Sequence, residues 1–219
     1  MQEEWETITI AGEDLILHPY KAIYWPSERV LFIADLHLGK ATHFRKSGIA
    51  VPSAVEDNNL DKLTALFLDF KPKRVLFLGD LFHSDYNSNW EDFGQLIAQF
   101  HMISFELVPG NHDIMVESEY EKFGIVVQPL DYQLGPFVLT HYPVDENTEG
   151  CYHLSGHVHP GVRLRGNGRQ YLRLPCFYFG THQGILPAFG AFTGYMTLKP
   201  KKSDQVFVVV DDTVIAVGS

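Results

Sequence analysis

Five short stretches of this chain end an apolar run with side chains suited to hold a cation. They are Asp35-Leu36-His37 after Val30 to Ala34, Gly79-Asp80 after Val75 to Leu78, Asn111-His112-Asp113 after Phe105 to Val108 and the turn Pro109-Gly110, His141 after Phe137 to Thr140, and Gly156-His157-Val158-His159 after Tyr152 to Ser155. Carboxylate, amide oxygen and imidazole together suit Mn, Fe, Zn or Mg-like ions. Two such ions held side by side clamp the attacking and leaving oxygens of an in-line displacement and lower the pKa of a bound water. One carboxylate must then bridge them. A phosphodiester matches such a clamp in charge and geometry. D-x-H and H-x-H each arise by chance about once or less in a chain of this composition, whereas G-N-H-D is expected only about 0.002 times. The ordered set therefore carries the information.

The elements that must position these groups follow from apolar periodicity. Glu6 to Ile10, Asp14 to Leu17 and Lys21 to Tyr24 read as strands, as do the apolar runs just named. Val55 to Phe70 has a helical period, and Trp90 to Phe100 and Ile114 to Phe123 also read as helices. Beyond Phe123 the helical signal fades. Strands are expected at Gly161 to Arg165, Gln170 to Leu174, Cys176 to Phe179, Tyr195 to Leu198, Gln205 to Val210 and Val214 to Val217. A β-α-β-α-β half followed by a mostly β half predicts an α/β sandwich of mixed sheets, in one domain over residues 1–219. Ligands of such sheets collect at the C-terminal ends of strands, where the five motifs lie.

The formal net charge is −10, which argues against sequence-independent attraction to nucleic acid over the whole surface. Bound cations and a local basic patch can reverse that sign at a site. Lys40, Arg45 and Lys46 follow the first motif and could hold substrate phosphates or form a solvated helix face. Arg163 and Arg165 share one strand face by their spacing, with Arg169 and Arg173 near them. They could touch a DNA backbone or pair with surface acids. Cys151 and Cys176 have no C-x-x-C spacing and read as two small core hydrophobes in a reducing compartment. The start, Met1-Gln2-Glu3-Glu4, lacks the basic and apolar regions of a secretory signal, and no apolar run has membrane-spanning length. A cytoplasmic location without membrane contact is the expectation.

The order D-x-H, G-D, G-N-H-D, H, G-H-x-H resembles the calcineurin-like metallophosphoesterases. The resemblance implies a four-layer α/β/β/α sandwich and two divalent metal ions. Asp35, His37 and His159 would hold one ion. Asn111, His141 and His157 would hold the other, and Asp80 would bridge. His112 would face the phosphate, with Asp113 orienting its ring. The segment Gly79-Asp80-Leu81-Phe82-His83-Ser84 lacks the Arg that phosphoprotein phosphatases carry after G-D, and looks like the repair-nuclease branch, in which His83 would assist catalysis. Asp35 to Ala41, Phe44-Arg45, Gly48 to Pro52 and Leu186 to Gly194 are similar to the bacterial ligase-associated DNA-damage-response endonucleases. That likeness implies no separate capping domain, a manganese-dependent endonuclease acting on DNA, and association with a DNA ligase, a helicase and an exonuclease-like protein. Two other readings remain. The same chemistry could serve a small nucleotide or phosphoester, which the net charge favours. A binding scaffold without activity would lack ligands, and here every ligand position is filled.

Overall fold

The computed structural model describes residues 5–40, 54–83, 88–144, 150–165, 170–191 and 193–217, apart from the side chains of 54–57. The first seven strands form one sheet in chain order: β1 (Glu6–Ile10), β2 (Glu13–His18), β3 (Ala22–Trp25), β4 (Val30–Ile33), β5 (Arg74–Leu78), β6 (Ser104–Val108) and β7 (Ile125–Val127). Pairing is antiparallel from β1 to β4 and parallel from β4 to β7. Parallel neighbours need long crossovers. Helices α1 (Ala54–Phe70), α2 (Ser88–Ala98) and α3 (Glu117–Glu121) lie in the three connections between those parallel strands. Strands β4, β5 and β6 are buried on both faces, which is why they read as unbroken apolar runs rather than alternating ones.

The second sheet holds β8 (Tyr132–Leu134), β9 (Phe137–Leu139), β10 (Tyr152–Ser155), β11 (Pro160–Arg165), β12 (Tyr171–Phe179), β13 (Gln183–Ile185), β14 (Met196–Thr197), β15 (Gln205–Val210) and β16 (Thr213–Val217). Its order is β14-β11-β12-β13-β10-β9-β8, with β15 joined to β12 and β16 to β15. The cluster that includes Phe32, Leu76, Val108, Phe137, Leu154 and Phe177 fills the space between the sheets. Leu63, Phe67, Trp90, Phe93 and Tyr120 pack the helices on the far side of the first sheet. Val162, Cys176, Val206 and Val208 gather on the outer face of the second sheet, in a cluster drawn from strands alone. The expected sandwich of mixed sheets without a separate cap is present. The helical layer that four-layer stacking places on this last face is not formed by the described residues.

Several local expectations change. The helix expected from Ile114 shortens to Glu117–Glu121, because Val116 is extended and the preceding residues form the turn that carries Asn111 and Asp113. The two strands expected on either side of Pro175 are one strand, β12, which runs through the proline. β7, β8 and β13 were not expected; three residues are too few to show a period. Cys176 is a buried free thiol as expected, but Cys151 is only partly buried, with its Sγ against Gln133 Oε1 at 3.6 Å.

An ion pair within the first sheet is hydrogen-bonded across to the second. Glu106 of β6 is buried, and Arg74 grips it with two bonds, Nε to Oε1 at 2.6 Å and Nη2 to Oε2 at 2.8 Å. Gln128 Nε2 also donates to Oε2, and Arg74 Nη2 reaches the Tyr132 hydroxyl of β8 at 2.9 Å. Removing one partner of such a pair leaves a buried charge, at a cost of about 3–5 kcal/mol. Arg74→Ala, which leaves Glu106 as that buried charge, is expected to destabilise the fold toward urea by an amount in that range, whereas Thr9→Ala, at an exposed position of the first strand, moves the midpoint little.

Candidate metal centre

The five motifs meet where the strand ends of both sheets converge. Asp35 and His37 follow β4, Asp80 follows β5, Asn111 follows β6, His141 follows β9, and His157 and His159 follow β10. The loops are laced together by backbone bonds, Asp35 N to Gly79 O, His37 N to Asp80 O, and Leu38 and His83 to one another's segments. Asp35, His37, Asp80, His157 and His159 all have positive φ, between 49° and 69°. Non-glycine residues rarely adopt this conformation, and it persists only where the surroundings fix it. This left-handed backbone is shared by five of the seven candidate ligand residues.

Two groups of donor atoms result. Asp35, His37 and His159 form one, and Asp80, His141 and His157 the other, each with its ligand atoms within 4.8 Å of one another. Asp80 reaches toward both. Its Oδ2 is 3.8 Å from His37 Nε2, and its Oδ1 is 3.5 Å from His141 Nε2. Asn111 Oδ1 lies 3.3 Å from His141 Nε2, which places it with the second group. The seven side chains named from the sequence as ligands are thus brought together.

The donor chemistry fits cations. Asp35 and Asp80 are buried, yet among the described residues no Lys or Arg forms an ion pair with either. Burying carboxylates without a counter-charge is costly. Asp35 Oδ1 is a buried oxygen with no hydrogen-bond donor. His141 Nδ1 and His159 Nδ1 face the carbonyls of Leu78 and Gly194, at 3.0 and 2.9 Å. A carbonyl only accepts, so each Nδ1 carries the hydrogen, and each neutral ring turns its Nε2 lone pair inward. The His159 Nε2 lies 3.2 Å from His37 Nε2, and the His141 Nε2 lies 3.0 Å from His157 Nδ1. Nitrogen and carboxylate lone pairs converging in this way call for positive charge between them. Burial, reinforced by Lys40 and the neighbouring imidazoles, pushes His37 down to about 2, and burial followed by the charge of His141 lowers His157. Both rings are therefore neutral, as metal ligands must be.

This shift has a sign that can be measured. His37 resists protonation only when folded, so the unfolded chain takes up the extra proton as pH falls below its ordinary 6.5. Stability of the metal-free protein is therefore lost in that direction. Its thermal midpoint is expected to drop between pH 7.5 and 5.5, and His37→Gln is expected to drop less over the same interval.

The remaining expected residues divide. The His112 and His83 rings are tilted against one another with centroids 3.8 Å apart, and His37 lies 5.6 and 5.1 Å from them, so both line the first group. His112 also donates its backbone N–H to Asp80 Oδ1 at 3.0 Å. Asp113 does not orient the His112 ring. Its Oδ1 accepts from the backbone N–H groups of Leu81 and Phe82, and its Oδ2 from Gly110. Burial pushes this carboxyl up to about 7, against the three N–H groups that favour the ionised form. Asp113→Ala would leave those donors unpaired at about 1–3 kcal/mol each. The variant is expected to lose roughly 3 kcal/mol or more in chemical unfolding, and to bind metal about 10–100-fold more weakly, as other supports of ligand loops do.

Lys40 is half-buried and close enough to Asp80 and Asp35 for their charges to act on it; burial nonetheless lowers its pKa. Arg45 and Lys46 lie outside the described residues. Arg163 and Arg165 are exposed on β11, beyond the ligand cluster. Sequence reasoning missed Tyr142. It donates its hydroxyl to Asn111 Oδ1 at 3.3 Å and packs its ring 4.5 Å from that of His157. Its place beside His141 was the available signal. It also missed why Leu186 to Gly194 has its pattern: Leu186, Phe189 and Gly190 donate backbone N–H groups to Ser155, Ala34 and Asp35, clamping two ligand loops.

Comparison with known proteins agrees with this geometry. No curated protein sequence matches the chain. Among solved structures it is similar to Pseudomonas putida nuclease MPE, at 29% identity and a TM-score of 0.83, over 98% of this chain and 100% of that one. A second match, Yfce, a phosphoesterase from E. coli, has 13% identity and a TM-score of 0.41, over 86% of this chain and 92% of that one. The family model described as calcineurin-like phosphoesterase matches residues 28–183. With that match over most of its length, the chain belongs to the calcineurin-like phosphoesterase family.

Proposed function

We propose that this protein is a two-metal phosphodiesterase that cuts DNA internally, with manganese as its working metal. The observation that carries the reading is Asp80, whose two oxygens face two separate groups of ligand atoms. Likeness to a nuclease over nearly the whole chain favours nucleic acid over a small ester. Divalent ions, when bound, supply positive charge to the phosphate oxygens and lower the pKa of the attacking water.

Asp35, His37 and His159 would hold one ion and Asn111, His141 and His157 the other, with Asp80 facing both groups. The chain's own part is chiefly electrostatic and positional. Asp113 fixes the loops that carry Asp80 and Asn111 through their backbone N–H groups. His112, held to Asp80 by its main chain, faces the transferring phosphoryl. His83, its ring against that of His112, gives a proton to the leaving oxygen. Lys40 draws the phosphate in. We place the activity in DNA damage response in the cytoplasm, beside a DNA ligase, a helicase and an exonuclease-like protein. Among the described residues no helix is long and apolar enough to cross a membrane.

The test is manganese-dependent nicking of a single-stranded circular DNA beside hydrolysis of a generic small phosphodiester. Wild type is expected to act on both, and His83→Ala to lose roughly 100-fold on DNA, within the range of general acid catalysis. Turnover of the small ester with the circle left intact would move the substrate to small nucleotides.

A further inference from the structure

The hairpin that leaves the metal centre carries an unexplained concentration of positive charge. β11 begins directly after His159 and pairs with β12 so that Arg163 lies opposite Arg173 and Arg165 opposite Tyr171. Like charges directly opposite one another weaken a sheet. In a chain of net charge −10, acids are plentiful. Yet among the described residues none of these three exposed arginines forms an ion pair with one. The arrangement is poorly suited to stability and well suited to a polyanion.

The face these residues share is fixed by the register. Along β12, Phe177 and Phe179 point into the core between the sheets, and Arg173 and Tyr171 continue that same face beyond it. Val162, Leu164, Leu174 and Cys176 point the other way. Aromatic rings run along the charged face. The Arg163 guanidinium lies 3.5 Å from the centre of the Tyr171 ring. Tyr195 lies against Gly161, where an added Cβ would come within 2.6 Å of its ring, and its hydroxyl donates to Arg173 O. Both tyrosines remain substantially exposed. From His159 outward the order is therefore Tyr195 over Gly161, then Arg163 with Tyr171, then Arg165. Arg163 is four residues past His159, about 13 Å along an extended strand.

We infer that this face of the β11–β12 hairpin is a track for the unpaired strand flanking the cleavage point. Arg163, Arg165 and Arg173 take its phosphates, and Tyr171 and Tyr195 give its bases a stacking surface. Guanidinium and aromatic planes serve stacked bases of any sequence, and arginines position a backbone without reading it. The inference rests on the phosphodiesterase reading of the metal centre and extends it to how the strand is held.

The test is fluorescence anisotropy of a labelled 20-nucleotide single strand with phosphorothioate linkages on the metal-loaded protein, across a salt series. The triple variant Arg163→Ala/Arg165→Ala/Arg173→Ala is expected to raise Kd at least tenfold. It should also flatten the slope of log K against log salt by about 2, since each single-strand phosphate contact contributes about 0.7. Arg165→Ala alone, which keeps the Arg163 guanidinium on the Tyr171 ring, should flatten it by about 0.7. Tyr171→Leu should weaken binding roughly tenfold with the slope kept. Unchanged Kd and slope in the triple variant and in Arg165→Ala would overturn the track. Equal affinity for a duplex, with Tyr171→Leu neutral, would overturn its preference for unpaired bases. The thermal midpoint of the triple variant should stay level or rise, because repulsion is relieved. Wild type that binds through these residues but hydrolyses no phosphodiester would sink the functional reading and leave the track. Wild type that hydrolyses, with a triple variant that binds equally well, would do the reverse.

Discussion

Asp80→Asn is expected to lose at least about 1,000-fold in kcat/KM, equally on DNA and on a small phosphodiester, a change of about 4 kcal/mol in transition-state stabilisation. Both its oxygens lie within 4 Å of a different ligand imidazole, Oδ2 toward His37 and Oδ1 toward His141, and only Asp80 touches both groups in this way among the described residues. An amide keeps the size of the side chain and the acceptor for the His112 N–H, but loses the charge that two adjacent cations require. Bound metal should fall from two ions per chain to one or none. Stability without metal should move the opposite way. Asp80 is a buried carboxylate at φ 50°, and asparagine tolerates that backbone while carrying no charge to desolvate. A higher thermal midpoint in chelator, paired with lost activity, separates a missing ligand from a damaged fold. A variant that retains both ions would contradict the bridging role.

Gly79→Ala is expected to damage activity and stability together. Gly79 has φ +78°, and a Cβ there would lie 2.1 Å from His141 Nδ1 and 2.8 Å from His141 Cβ. The ring would have to leave Leu78 O, losing the bond that directs its Nε2 inward. Left-handed strain costs a non-glycine residue about 1 kcal/mol, and overpacking adds about 1–3 kcal/mol. A loss of roughly 2–4 kcal/mol in chemical unfolding is expected, with activity down at least about 100-fold, as when other supports of a metal ligand are removed. Gly124→Ala is the control. It has φ +73° with nothing near its missing Cβ, so it should cost about 1 kcal/mol and leave activity intact. Equal effects at the two glycines would show that His141 is not held as described.

The centre was legible in the sequence because each ligand ends a buried strand, and buried parallel strands announce themselves as short apolar runs. Asp35, Asp80, Asn111, His141 and His157 could be placed on the same side of the sheets for that reason. What stayed hidden depends on backbone conformation or on contacts far apart in the chain. The left-handed backbone at five ligands leaves no mark in residue type, since Asp and His also occur there for other reasons. Asp113 looked like a partner for the ring beside it, because adjacency is visible in a sequence. The backbone N–H groups of Leu81 and Phe82, more than thirty residues away, are not. The strands β7, β8 and β13 were too short to announce a period, and Tyr142 had only its neighbour to recommend it.

The most direct test of the two-metal account is a titration of metal-free protein with manganese, following bound ions and phosphodiester hydrolysis in the same samples. The account predicts two ions per chain, hydrolysis that appears as the second is taken up, and loss of that second step in Asn111→Ala. Saturation at a single ion with full hydrolysis, or hydrolysis that persists in excess chelator, would contradict it.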